Sequence, residues 1–176
     1  MKNLVSMIRE YAPIALIPAA WIMTFATMIS PGIETYWIQH MHYFMILFLA
    51  GFTVFSWKKM DTPVLDIWRK VIASGIVFTG LGALSFTTTS YSSILAGLSL
   101  GYWLIAPGIG CYFSAKHMTS HSENYRGVGY AGIISAILVS TTIFDDGTVI
   151  PGIGFALAAI TQTYSIIIAA KLDENL

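Results

Sequence analysis

The chain has 176 residues, 56% of them hydrophobic and only 10% charged, and its formal net charge is zero. A soluble domain carries about 25% charged residues to keep its surface hydrated, so this composition excludes a water-soluble globule. Zero net charge gives no basis for binding nucleic acid, and a lone Cys111 excludes an intramolecular disulfide.

A membrane helix needs roughly 20 mostly apolar residues. Six stretches meet that need, at about 11–30, 37–57, 66–86, 92–115, 127–144 and 150–170. The expected fold is an all-α polytopic membrane bundle of six transmembrane helices arranged as three helical hairpins, a single domain over residues 1–176.

Residues 1–10 place Leu4, Val5 and Ile8 at helical spacing with Lys2, Arg9 and Glu10 elsewhere, which predicts a short segment lying at the interface. The apolar run from Ala12 to Ile29 is longer than the ~7–15-residue core of a signal peptide, so it reads as a retained first span. Pro18 predicts a kink in it. The second span opens near Trp37, with His40-Met41-His42 in its first turns. Asp61 and Thr62 ahead of Pro63 predict a helix start, because proline is tolerated in the first turn. Val64, Leu65, Ile67 and Trp68 then fall at headgroup level, with Arg69 and Lys70 beside them.

Small residues predict where helices touch, since lipid supplies no hydrophobic drive between them and close backbone approach must. Gly75, Thr79 and Ala83 form one stripe in the third span, and Gly97 with Gly101 a pair in the fourth. Gly132, Ala136 and Ser140 form another in the fifth, and Gly154 with Ala158 in the sixth. Such stripes serve packing within the chain or in an oligomer. Pro107-Gly108 interrupts the fourth span, where a kink either lines a cavity or accommodates neighbours.

All nine Lys and Arg fall in the N-terminal segment, the second and fourth loops and the C-terminal segment, whereas the alternate loops hold Glu34, Asp145 and Asp146. Lys and Arg are retained on the cytoplasmic side, so both termini are predicted inside, in a plasma or inner membrane. Outer turns recur at an interval of 57 residues, at Ser30, Thr87 and Phe144, which is the basis for expecting three hairpins.

Gly80, Gly97, Gly101 and Gly108 surround a small-residue turn between Gly75 and Lys116, and this layout resembles the HdeD-type small membrane proteins linked to bacterial acid resistance. The resemblance implies six short-looped spans and a stress-response role. The last span, with Gly152, Gly154, Ala158, Tyr164 and Ala169, is similar to that of the acetate-uptake transporter family. That family's Asn-Pro-x-Pro-Leu-Gly motif is replaced here by Tyr11-Ala12-Pro13-Ile14-Ala15-Leu16, so no functional residue is carried over.

Four constellations are candidates for chemistry. His117 and His121, at i and i+4, would share a helical face and are the candidate metal ligands. His40 and His42 stand about 200° apart on a helix, so they do not converge, and either is a candidate pH sensor. Gln162 is the most polar deep side chain. With Thr161, Tyr164, Pro107 and Gly108 it forms a candidate pore or cavity lining, or else it hydrogen-bonds across helices. Asp145-Asp146-Gly147-Thr148 reads as a capped outer turn, with weak cation binding as the alternative.

No carboxylate or amine falls in the interior of a span, which argues against a proton-relay pump. No nucleophile elbow, phosphate loop or His-Glu-x-x-His motif occurs, so an enzyme is the least supported class. The expected function is a non-enzymatic stress-response or accessory membrane component acting through packing. The alternatives are a passive channel or facilitator for a small neutral or weak-acid solute, and a His-based metal or haem protein. No cofactor is expected. Membrane lipid is the expected partner, with a second copy or another membrane protein as further candidates.

Overall fold

The computed structural model describes the backbone of residues 4–30, 32, 35–143 and 147–173, and the side chains of 14–30, 32, 35–142 and 147–169. Lys2, Glu34, Asp145 and Asp146 lie outside the described residues, as do the side chains of Arg9 and Lys171. Within those bounds the chain forms six α-helices: α1 (Leu4–Ile29), α2 (Thr35–Ser56), α3 (Pro63–Ser85), α4 (Ser92–Ala115), α5 (Ser122–Ser140) and α6 (Val149–Asp173). Single 3₁₀ turns follow α2 and α5. The protein is an all-α polytopic membrane protein, in which four helices (α2, α3, α4 and α6) are clearly long and apolar enough to cross a bilayer.

The helix boundaries have local causes. Thr62 caps α3, its hydroxyl accepting from the Leu65 N–H at 3.3 Å, and Pro63 stands at the first helical position. The expected interfacial segment has no boundary of its own from Leu4 onward; its backbone continues into α1. Helix α5 starts five residues before the expected apolar stretch. Its polar first turn is helical, and Arg126 there pairs with Glu123 at 2.9 Å. Hydropathy locates the lipid-facing length of a helix, and polar end turns escape it. Pro107 does not end α4, which runs through it to Ala115.

Helices α2 to α6 pack each against the next, and α6 packs back onto α1. Short connections between packed neighbours make each antiparallel to the one before. The contacts agree: Gly75 meets Trp103 and Gly82 meets Ser99, while Gly110 meets Val71. The first expected hairpin differs from the others, because α1 lies mainly on α6 and meets α2 little. Two apolar clusters fill the bundle. One joins Trp21, Leu104, Val139, Phe155 and Ala158; the other joins Cys111, Ala115, Tyr125, Val128 and Ile168.

The closest approach is between α4 and α5. A Cβ on Gly129 would stand 2.9 Å from the Gly108 carbonyl oxygen, and one on Gly132 would stand 3.0 Å from the Gly108 Cα. Backbone therefore lies against backbone, as small-residue crossings in membranes require. By contrast, Gly97 and Gly101 have no neighbour near their notional Cβ atoms, so this expected contact pair is not used within the described part of the chain. Helix α5 packs between α4 and α6, and its Gly129, Gly132 and Ser135 are buried.

At the end of the bundle that carries the Lys and Arg residues, cations engage rings and acids. Arg69 and Lys70 both pair with Asp66, Lys70 at 2.8 Å. The Arg69 guanidinium lies 4.8 Å from the centre of the Trp57 ring, and the Lys116 ammonium 4.7 Å from that of Phe113.

Replacing Gly129 by valine is expected to cost about 1–3 kcal/mol, since the new side chain meets backbone that cannot yield. Gly101→Ala meets open space and is expected to leave stability unchanged, or raise it by up to about 1 kcal/mol through helix propensity. Unfolding in mixed micelles followed by circular dichroism measures both.

Candidate functional site

Proline has no N–H, so Pro107 leaves the carbonyl four residues earlier, that of Trp103, without its intrahelical donor. Inside an apolar bundle no water can replace that donor, and an unpaired carbonyl there costs several kcal/mol. Gln162 supplies the missing group: its Nε2 donates to the Trp103 carbonyl oxygen at 2.9 Å. Its Oε1 accepts from the Trp21 indole N–H at 3.0 Å. Only one orientation of the amide satisfies both neighbours, because an indole can only donate and a carbonyl only accept.

The chain of bonds continues. The Trp103 indole donates to the Thr79 hydroxyl at 3.0 Å, and that hydroxyl donates to the Gly75 carbonyl at 2.7 Å. Gln162, Trp21 and Thr79 are all at least nine-tenths buried. One relay thus ties α1 to α6, α6 to α4, and α4 to α3. Phe155 packs beside it, its ring centre 5.9 Å from that of Trp21.

Of the five candidate lining residues, Gln162 and Pro107 are brought together through the Trp103 carbonyl. Gly108 is buried against Gly129 and Gly132 of α5. Thr161 turns back on its own helix, its hydroxyl donating to the Leu157 carbonyl at 2.7 Å. Tyr164 is exposed, and its hydroxyl accepts from Asn124 at 3.2 Å. Trp21, Trp103 and Thr79 were not among the expected site residues. Counting four residues back from Pro107 would have found Trp103, but nothing local marks Trp21 or Thr79 as its companions.

The histidines are dispersed. His117 lies in the turn after α4, and His121 stands just ahead of α5 with a φ of 58° and no side-chain bond to the helix end, a left-handed conformation in which histidine is tolerated more readily than most residues. The helical face that the i, i+4 spacing would give them is therefore not formed. Among the described residues no group of three or more His, Cys, Asp or Glu comes together to hold a metal.

His40 and His42 each place Nδ1 2.8 Å from a backbone carbonyl, of Tyr36 and Ile38 respectively. A carbonyl only accepts, so each ring carries its proton on Nδ1 when neutral. The Nε2 of His42 lies against Gly82 of α3, where a Cβ would come within 2.6 Å of it and equally close to the Ser99 hydroxyl. His40 is exposed, its ring tilted 36° against that of Tyr36 with centres 3.9 Å apart.

Comparison of the chain with models of protein families, with curated proteins and with solved structures found no match. The likenesses to HdeD-type proteins and to acetate-uptake transporters therefore do not become a family assignment. The conclusion that stands is an integral, multi-spanning, all-helical membrane protein.

Gln162→Leu strips partners from the Trp103 carbonyl and the Trp21 indole together, and is expected to cost about 2 kcal/mol. In a Pro107→Ala background the Trp103 carbonyl regains a helical donor, so the same change should cost about 1 kcal/mol less. A double-mutant cycle on unfolding free energies reads that difference; additive effects would show that the proline and the amide are unconnected.

Proposed function

We propose that the protein is a non-enzymatic integral membrane protein that acts through packing, as a stress-response or accessory component of a plasma or inner membrane. Residues 1–176 make one transmembrane domain, with α1 and α5 completing six spans and both termini cytoplasmic. Membrane lipid is its constant partner, and a second copy or another membrane protein is accommodated on the outward faces.

The observation that carries the reading is the amide of Gln162, with both ends engaged by Trp21 and Trp103. A polar group whose bonds are already made to neighbouring helices stabilises a packed interior. It has no need of a passing solute. The glycine crossing of α4 and α5 supports the same reading, since backbone contact leaves no path between those two helices. Placement of α1 and α5 in the membrane is supported by their packing against α6. The cytoplasmic placement of the termini is supported by the distribution of Lys and Arg.

In proteoliposomes, entry of urea, acetate or glycerol is expected to match that of protein-free vesicles. Entry several-fold faster, and lowered by Gln162→Leu, would overturn this reading in favour of a facilitator lined by Gln162, Thr161, Tyr164, Pro107 and Gly108. The topology has its own measurement, with Cys111 replaced by alanine and single cysteines introduced. A membrane-impermeant maleimide on intact cells should label Ser90→Cys, and should label Lys58→Cys or Lys116→Cys only after permeabilisation.

A further inference from the structure

Helices α1 and α2 are consecutive, yet each is held by another neighbour: α1 by α6, and α2 by α3. Between them runs an open groove of about 360 Å³. Its walls explain why it stays open. The α4–α5 pair closes over glycine, whereas here Met23 of α1 faces Met41, Phe44 and Met45 of α2, with Ala19 and Ala20 leaving depth behind them. At the end nearest the connecting turn the lining changes character, to Trp37 and His40.

On the six-span reading above, this groove opens onto hydrocarbon, and its contents follow from its shape. Empty space of this size forfeits dispersion contacts along both walls, and an apolar channel does not hold water. A single acyl chain is slender enough, and methionine side chains adapt to a flexible hydrocarbon. At the mouth, the Trp37 indole offers an N–H donor. His40 commits its Nδ1 proton to the Tyr36 carbonyl, so its Nε2 presents a lone pair that accepts from a donor such as a headgroup hydroxyl or ammonium. Tryptophan at headgroup depth is the usual anchor for the polar part of a lipid.

We propose that the α1–α2 groove is a lipid site that holds one acyl chain of a bilayer phospholipid, with an ester or phosphate oxygen at the Trp37 indole N–H and a headgroup hydroxyl or ammonium at the His40 Nε2. The chain completes the seam that the protein's own side chains leave open.

The test is native mass spectrometry of the full chain, released into mild detergent from nanodiscs of phosphatidylglycerol and phosphatidylethanolamine. The wild type should retain one phospholipid. Ala19→Phe and, independently, Met41→Trp fill the groove and should lower the lipid-bound fraction at least tenfold. Val77→Phe, on the exposed face of α3, should retain lipid as the wild type does. Circular dichroism identifies a groove variant that has lost its fold, and the other then decides. Absence of retained lipid from the wild type, or equal retention by the groove variants, would overturn the site. So would a copy-to-copy disulfide formed through Phe44→Cys in place of bound lipid. Maleimide labelling of the single-cysteine proteins separates this from the six-span reading, because a lipid-free protein with the expected labelling refutes the groove alone.

Discussion

The arrangement of the bundle turns on one carbonyl group deprived of its donor. Pro107 deprives the Trp103 carbonyl of its N–H donor within a long apolar helix, where neither water nor its own backbone can answer. A donor must arrive from another helix, and Gln162 is positioned to be that donor. Once α6 is bound to α4 at this level, the rest of the amide reaches Trp21 of α1, and the Trp103 ring reaches Thr79 of α3. Interhelical hydrogen bonds in membranes are individually modest, on the order of 1 kcal/mol. Their directionality matters more than their sum here, because each sets the register of a pair of helices that apolar contact alone would let slide.

Glycine complements that polar linkage. Gly108, Gly129 and Gly132 let α4 and α5 touch backbone to backbone, while Gly75 and Gly82 receive the Trp103 ring and the His42 ring. Gly80, Gly97 and Gly101 meet nothing within the described chain. Identical residues in similar helices thus serve opposite situations, determined by which face of the helix the neighbours occupy.

The α1–α2 seam is where these devices are missing. Neither a glycine pair nor a hydrogen bond between described side chains joins the two helices, and bulky flexible side chains line the gap between them. A bundle fastened at α1–α6, α6–α4 and α4–α3 has no further need of that contact. The seam is therefore open to its surroundings, and in a bilayer those surroundings are lipid.

Much of the architecture is legible in residue order, because hydrocarbon permits few solutions. The apolar stretches from Trp37, Ser92 and Ile150 correspond to helices, and Asp61-Thr62-Pro63 marks the start of α3 by local capping chemistry alone. Gln162 could be singled out as a buried amide in need of partners, and Pro107 as a break in a hydrogen-bond ladder. What residue order does not contain is that each resolves the other, since they are 55 positions apart (162 − 107) and meet only because α6 lies beside α4. The same holds for His117 and His121, whose spacing suits a helix but whose backbone makes a turn. Sequence by itself determined that this chain is helical and belongs in a membrane, since hydropathy and capping act locally. Tertiary packing alone decided which polar groups pair, which glycines are covered and where the seam lies, because those outcomes depend on which helices become neighbours.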